Sequence, residues 1–301
     1  MITISTNKGL VKISTWEDVL HRAHFTSDLN PEEHELDTIL GKYVFQDKVR
    51  CGLSNCHTLH GRGYLVTTKT GRETNIGKDC GRNYFGLEFE EAAKRFEADF
   101  AAHENRELLW SFSFRTDDLE TKIEAMRQGV GGADWVHKNA QALLDPAKLP
   151  VQITRQVGSL AKQKTNTFTV QREATEKEIE VLEQTSSRRL DRPVYVDGYS
   201  ATIRGLEALY PEYNLRDLLI VEIIDKLKGF KQLSIDELTN QQLTVWKKWA
   251  VAVDLHLDRA NESVVFGREL LTKRNLSPFL TVPGVQPNEY EKFEVYLAQL
   301  P

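Results

Sequence analysis

All three cysteines of the chain, Cys51, Cys56 and Cys80, lie in one stretch, CGLSNCHTLHGRGYLVTTKTGRETNIGKDCG, which runs from residue 51 to residue 81. His57 and His60 stand just after the second cysteine. One ion gripped by thiolates and imidazoles would lock the backbone between them, and zinc takes that donor set in a tetrahedron. The gap from Cys51 to Cys56 suits a tight turn carrying two sulfurs, and Gly52 and Asn55 tolerate its backbone. After Gly61 and Gly63, the β-branched run Tyr64–Lys69 predicts a strand. Thr70-Gly71-Arg72 predicts a turn and Glu73–Ile76 the returning strand. Gly77-Lys78-Asp79 then delivers Cys80 to a helix start, where the helix dipole favours a thiolate. The plain alternative is three reduced thiols buried as small apolar side chains. A disulfide would leave one cysteine over.

Knuckle, hairpin and a ligand at a helix start follow in the order of a treble-clef zinc finger, which residues 51–81 resemble. The resemblance implies a zinc ion on Cys51, Cys56 and Cys80. Two departures stand out. The knuckle is wider than the family's two-residue gap, and a single cysteine stands at the helix, which leaves the fourth place to a histidine. His60 is expected there. His57, adjacent to Cys56 and expected to point elsewhere, is the alternative ligand. Three sulfurs and a nitrogen make a closed, structural site. The competing chemistry is hydrolysis by metal-bound water, with Asp79 or Glu73 as base.

A chain of 301 residues with 40% hydrophobic content can bury two cores. It has no long apolar run, so no membrane span is expected. Its opening, MITISTNKGLVKIS, lacks the pattern of a secretory signal, and unpaired cysteines fit a reducing cytoplasm. The formal net charge is −5, yet eight basic residues face three acidic ones between Lys42 and Arg82. Arg62, Lys69, Arg72, Lys78 and Arg82 are therefore candidate phosphate contacts on a basic hairpin. A normal solvated surface explains the same charges.

The expected fold class is α+β. An N-terminal α+β domain, residues 1–145, carries the zinc module at 41–86, with short hairpins and amphipathic helices. A mainly helical domain, residues 151–301, follows, with a β-hairpin near 193–204. Ile2, Ile4, Leu10 and Ile13 around Asn7-Lys8-Gly9 predict the first hairpin. Thr15 caps a helix from Trp16, and Asn30-Pro31 predicts another. Phe89, Ala93, Phe96 and Phe100 repeat at helical spacing and predict one long amphipathic helix. Phe112–Arg115 reads as extended. Asp117–Met126 and the segment after Asp134 read as helices, ended by Pro146 and Pro150, where the domains are expected to part. Val194–Ile203 around Asp197-Gly198 predicts the hairpin, and Thr175 and Ser234 open capping boxes. Leu215–Lys228, Leu243–Phe266 and Asn288–Leu300 predict helices, with a proline-rich extended arm before the last. That terminal stripe docks on its own body or on a second copy in a homo-oligomer.

Gly71–Asp79 imitates a phosphate-binding loop but has the wrong spacing and lacks the hydroxyl after Lys78. His34-Glu35 lacks the second histidine of a metalloprotease motif. The expected function is accordingly non-enzymatic: a zinc-stabilised protein that acts by contact with a macromolecular partner. One such partner is a host defence complex, inhibited by a phage or mobile-element protein. Nucleic-acid binding through the basic hairpin is the first alternative, and a zinc-dependent hydrolase the second.

Overall fold

The structure, a computed structural model, describes residues 2–6, 9–186 and 188–301. The expected turn residues Asn7 and Lys8 lie outside the described residues. The architecture is α+β. Contacts divide the chain into two units, 1–113 with 234–250, and 114–233 with 251–301. The sequence reading put the change of domain near Pro146 and Pro150. The division falls instead at Ser113/Phe114, and a later segment returns to the first unit.

The first unit is built on a five-stranded antiparallel sheet. Its strands are β1 (Ile2–Thr6), β2 (Gly9–Ile13), β3 (Leu36–Arg50), β4 (Leu59–Thr68) and β5 (Glu73–Gly77). They lie in the order β2-β1-β3-β4-β5. The short helix α1 (Trp16–Leu20) is fixed by a reciprocal cap, in which Thr15 Oγ1 accepts from the Asp18 amide and Asp18 accepts from the Thr15 amide. Its face of the sheet holds Ile2, Ile4, Val19, Tyr43 and Leu65, with Trp16, Phe25 and Phe45 packed beside them. The other face is covered by α2 (Lys78–Ser113), which buries Phe89, Ala93, Phe96 and Phe100 against Leu36, Ile39, Leu53, Val66 and Ile76. The aromatic stripe predicted from its spacing is thus core. Gly86, at φ 56 and ψ −135, breaks α2 after its first turns, a conformation open only to glycine.

Several local expectations change. Asn30-Pro31 opens a turn rather than a helix. Asn30 Oδ1 accepts from the Glu32 amide at 3.1 Å, and Asn30 Nδ2 donates to Glu33 at 2.8 Å. Such side-chain bonds compete with helical ones, and β3 begins too soon for a helix to follow. Phe112 and Ser113 end α2 instead of forming an extended segment. Ser234 opens only a 3-10 turn with no side-chain cap. The working cap is Thr239, whose Oγ1 accepts from the Gln242 amide at 3.3 Å, ahead of the long helix that begins at Asn240.

In the second unit, α3 (Thr116–Arg127), α4 (Ala133–Leu144) and α5 (Val151–Gln163) precede β6 (Thr167–Glu173), α6 (Glu176–Ser186) and β7 (Tyr195–Thr202). The hairpin expected near 193–204 is not there. β7 is one continuous strand, antiparallel to β6 across α6. Val170 pairs with Tyr199 and Gln171 with Asp197, so Gly198 is the extra residue of a β-bulge. The Asp-Gly signal marked a bulge, with the Arg172 side chain lying where a Cβ on Gly198 would stand. A π-helical segment, Arg216–Ile224, continues into α7 (Asp225–Phe230). After α8 (Asn240–Leu270), the expected extended arm is instead α9 (Lys273–Leu276) and a 3-10 turn, Ser277–Thr281. The last helix, α10 (Pro287–Ala298), docks on its own unit. Phe293 is fully buried, and Tyr296 Oη donates to the Asn139 carbonyl at 3.1 Å. Among the described residues no helix is long and apolar enough to cross a membrane.

Candidate metal centre

Three elements converge on the cysteines. β3 ends at Arg50 and hands over Cys51, a turn presents Cys56, and the first turn of α2 carries Cys80. Their Sγ atoms all lie within 4.8 Å of one another, with Cys56 and Cys80 at 3.4 Å. Ligands at about 2.3 Å on a tetrahedral ion put sulfurs about 3.8 Å apart, so this cluster matches the donor geometry of a thiophilic metal. Cys51 and Cys80 are buried and Cys56 is half-buried.

The surroundings favour thiolates. The backbone at Leu53 and Gly77 favours the ionised form of Cys51, the backbone of Thr58 does the same for Cys56, and Cys56 Sγ lies 3.3 Å from Thr58 Oγ1. Donors aimed at sulfur stabilise its charged form. Without a cation, burial pushes the Cys51 thiol up despite that backbone. Burial, followed by the neighbouring thiols, pushes Cys80 up to about 12. At Cys56 burial also pushes up, but the hydrogen bonds from Thr58, Cys80 and Cys51 outweigh it, and the thiol lies below its usual range. Three sulfurs this close repel one another when ionised. A divalent ion would remove that repulsion.

Neither histidine has a ring nitrogen within 4.8 Å of all three sulfurs. They differ in what they touch. His57 adopts φ 55, the left-handed region. Its Nδ1 lies 3.4 Å from the Cys51 carbonyl, and its Nε2 lies 3.9 Å from Asp28. His60 sits on β4 opposite Val49. Its Nδ1 meets Tyr43 Oη at 2.9 Å, while its Nε2 is buried and has no hydrogen-bond partner. Glu73, one of the two acids considered as a base, is engaged elsewhere, accepting two bonds from Arg22 at 2.5 and 2.9 Å.

The basic residues do not form one patch. Lys69 and Arg72 flank the β4–β5 turn, and Lys69 is paired with Glu35 at 2.5 Å. Arg62 lies at the other end of β4, about 20 Å away at the usual rise per residue of a strand. Gly63 pairs with Gly77, which brings the Lys78 and Arg82 end of the hairpin to Arg62. There Arg82 is held by Glu90 at 2.5 Å. Beside it a cavity of about 250 Å³ is lined by Tyr64, Lys78, Arg82, Lys94, Glu90 and Glu97 among others. Among the described residues, Arg62, Arg72 and Lys78 make no ion pair.

Sequence reasoning missed Thr58, Tyr43 and Asn75. Thr58 was in view, two residues after Cys56, and its hydroxyl is the signal. Tyr43 and Asn75 are brought in by sheet pairing alone and leave no local trace. Comparison with family models, with curated proteins and with solved structures returns no match for this chain.

Proposed function

We propose that this chain is a zinc-stabilised binding protein. A structural ion on Cys51, Cys56, Cys80 and His60 holds the first unit together, and the work is done by contact with a macromolecular partner. The observation that carries the reading is the three-sulfur cluster, whose Sγ atoms all lie within 4.8 Å of one another. Zinc is the metal this donor set suits best. His60 is preferred to His57 because its buried Nε2 is unpartnered, whereas both ring nitrogens of His57 already face an acceptor. With four protein ligands no position is left for water, which favours a structural role over hydrolysis. The test is elemental analysis of the purified full chain. One zinc per chain is expected, with loss of cooperative melting of the first unit on chelation. Absence of stoichiometric metal refutes the reading.

A second reading is supported by Arg62 and Lys78, exposed together at one end of the hairpin without ion pairs. They suit phosphate contacts to nucleic acid. Glu90 and Glu97 at the same place work against it. Binding that weakens steeply between 50 and 200 mM salt, and is lost in Arg62→Glu/Lys78→Glu, is the expected signature. No binding at low salt rejects it.

A further inference from the structure

Asn75 is a buried polar residue, 1% exposed, in the short strand β5. Its hydrogen bonds bracket Cys51. The Asn75 carbonyl accepts from the Gly52 amide at 2.8 Å, and its Nδ2 donates to the Arg50 carbonyl at 2.8 Å. The residue on each side of Cys51 is thereby fastened to β5, while the Cys51 amide itself donates to the Thr58 carbonyl across the turn at 2.9 Å. The same Nδ2 also donates to Tyr43 Oη at 3.2 Å, and Tyr43 Oη in turn meets His60 Nδ1 at 2.9 Å. The Tyr43 ring is almost fully buried and stacks with His60, their centroids 5.8 Å apart. On its far side it packs on Trp16 and Phe45. Burial raises the Tyr43 phenol above its ordinary range, so it remains a neutral hydroxyl.

A second observation places the imidazole beside Gly77. A Cβ on Gly77 would stand 2.8 Å from His60 Cδ2 and 3.4 Å from its Nε2. The ring therefore packs against Gly77, and a side chain there would force it to shift. With Nδ1 occupied by Tyr43, the ring's remaining nitrogen is buried without a partner, on the Gly77 side. Metal-bound histidines are commonly oriented in this way, through a hydrogen bond on the nitrogen that does not bind the ion.

We propose that Asn75 and Tyr43 are positioning residues of the metal centre. Asn75 anchors the backbone on both sides of Cys51 and orients His60 through the Tyr43 hydroxyl, leaving Nε2 of His60, which is not within 4.8 Å of all three sulfurs here, as the nitrogen that closes on the ion when it binds. The inference rests on the reading that the cysteines hold a metal. It predicts that the strongest determinants of affinity outside the ligands lie in the sheet, on β3 and β5, and not in the knuckle.

The test uses the full chain loaded with zinc or cobalt(II). Tyr43→Phe keeps the packed ring and removes only the hydroxyl. It is expected to weaken zinc 10- to 100-fold in a chelator competition, a typical effect of losing such an outer partner. The ligand-field bands of bound cobalt should shift as the imidazole loosens. Asn75→Ala should weaken binding more, since it frees the Arg50 carbonyl as well. In a His60→Ala background, Tyr43→Phe should have no further effect on affinity. X-ray absorption should show three sulfurs and one imidazole in the wild type, with the imidazole lost in His60→Ala. An imidazole retained in His60→Ala overturns the proposal. So does an unchanged affinity and cobalt spectrum in Tyr43→Phe, even if melting falls. A wild-type chain with no metal removes the reading beneath it, an outcome distinct from either.

Discussion

Replacing the cysteines one at a time with serine separates an ion-binding site from three buried thiols. Cys51 is 1% exposed and Cys80 9%, while Cys56 is half-buried. If the thiols only pack, the cost follows burial. A serine hydroxyl left unsatisfied at Cys51 or Cys80 costs about 1–3 kcal/mol, and the more open Cys56 costs about 0.5 kcal/mol or less. If they share an ion, each substitution removes one ligand from the same bond set, and the three costs become similar. With free zinc at about a thousand times its dissociation constant, the ion contributes about 4 kcal/mol. The first unit has about 130 residues, so each kcal/mol moves its midpoint by about 4 °C and loss of the ion lowers it by about 15 °C. The double variant Cys51→Ser/Cys56→Ser should then be little worse than either single one, because the second change removes a ligand from a site already lost. Calorimetry with and without chelator reads all of this. Costs ranked by burial, additive in the double variant and insensitive to chelator, would refute the ion.

Two further outcomes follow from the same structure. Zinc binding should release at least two protons per ion at pH 7, counted in a pH-stat, because burial holds Cys51 and Cys80 protonated without metal and Cys80 is pushed up to about 12. Affinity thus falls as pH falls; in the metal-free chain the sign reverses, since a raised thiol adds stability that is present below about 9 and lost as pH rises towards 12. Uptake without proton release would contradict this. Phe293→Ala in α10 should cost about 3–5 kcal/mol with a melting midpoint independent of protein concentration, because Phe293 is buried within its own unit; a concentration-dependent midpoint in the wild type would instead point to a partner copy on that helix.

Much of the first unit was legible because its signals are local. The stripe Phe89, Ala93, Phe96, Phe100 has helical spacing, and the run Tyr64–Lys69 is rich in β-branched residues, as a strand favours. Cys80 falls in the first turn of a helix, as the Gly77-Lys78-Asp79 lead-in implied. Signals that serve more than one structure failed. Asp197-Gly198 suits a two-residue turn, but it also suits a bulge, and only the distant β6 decides between them. Asn30-Pro31-Glu32-Glu33 has the residues of a helix start, and the same asparagine can close a turn on itself. The residues proposed to position the candidate metal centre lay beyond reach for another reason. Tyr43 and Asn75 are 32 positions apart and meet only because β3, β4 and β5 pair in register. The three-sulfur cluster was visible because cysteine is rare in this chain. Its supports are common residue types, which composition cannot distinguish.

What an ion would add to a unit that already has two apolar clusters is set by the break at Gly86. Beyond the break, α2 is held to the sheet by Phe89, Phe96 and Phe100. Before it, the segment from Lys78 to Phe85 offers Cys80 and a partly buried Phe85, while Lys78, Asp79, Arg82, Asn83 and Tyr84 are exposed. Tyr84 reaches the Asn55 carbonyl at 3.3 Å, a single exposed bond. One small buried side chain and one partly buried ring do not offset the entropy of ordering such a segment, at about 1–2 kcal/mol per residue. The knuckle from Gly52 to Thr58 is similarly short of apolar anchors, with Leu53 its main one. An ion shared by Cys51, Cys56 and Cys80 would tie both segments to the end of β3 in one step. Those segments and their basic neighbours Arg62 and Lys78 are then the part of the surface whose shape depends on metal. A partner that contacts them should bind the zinc-loaded chain and not the chelated one, whereas a partner on the second unit should bind both alike.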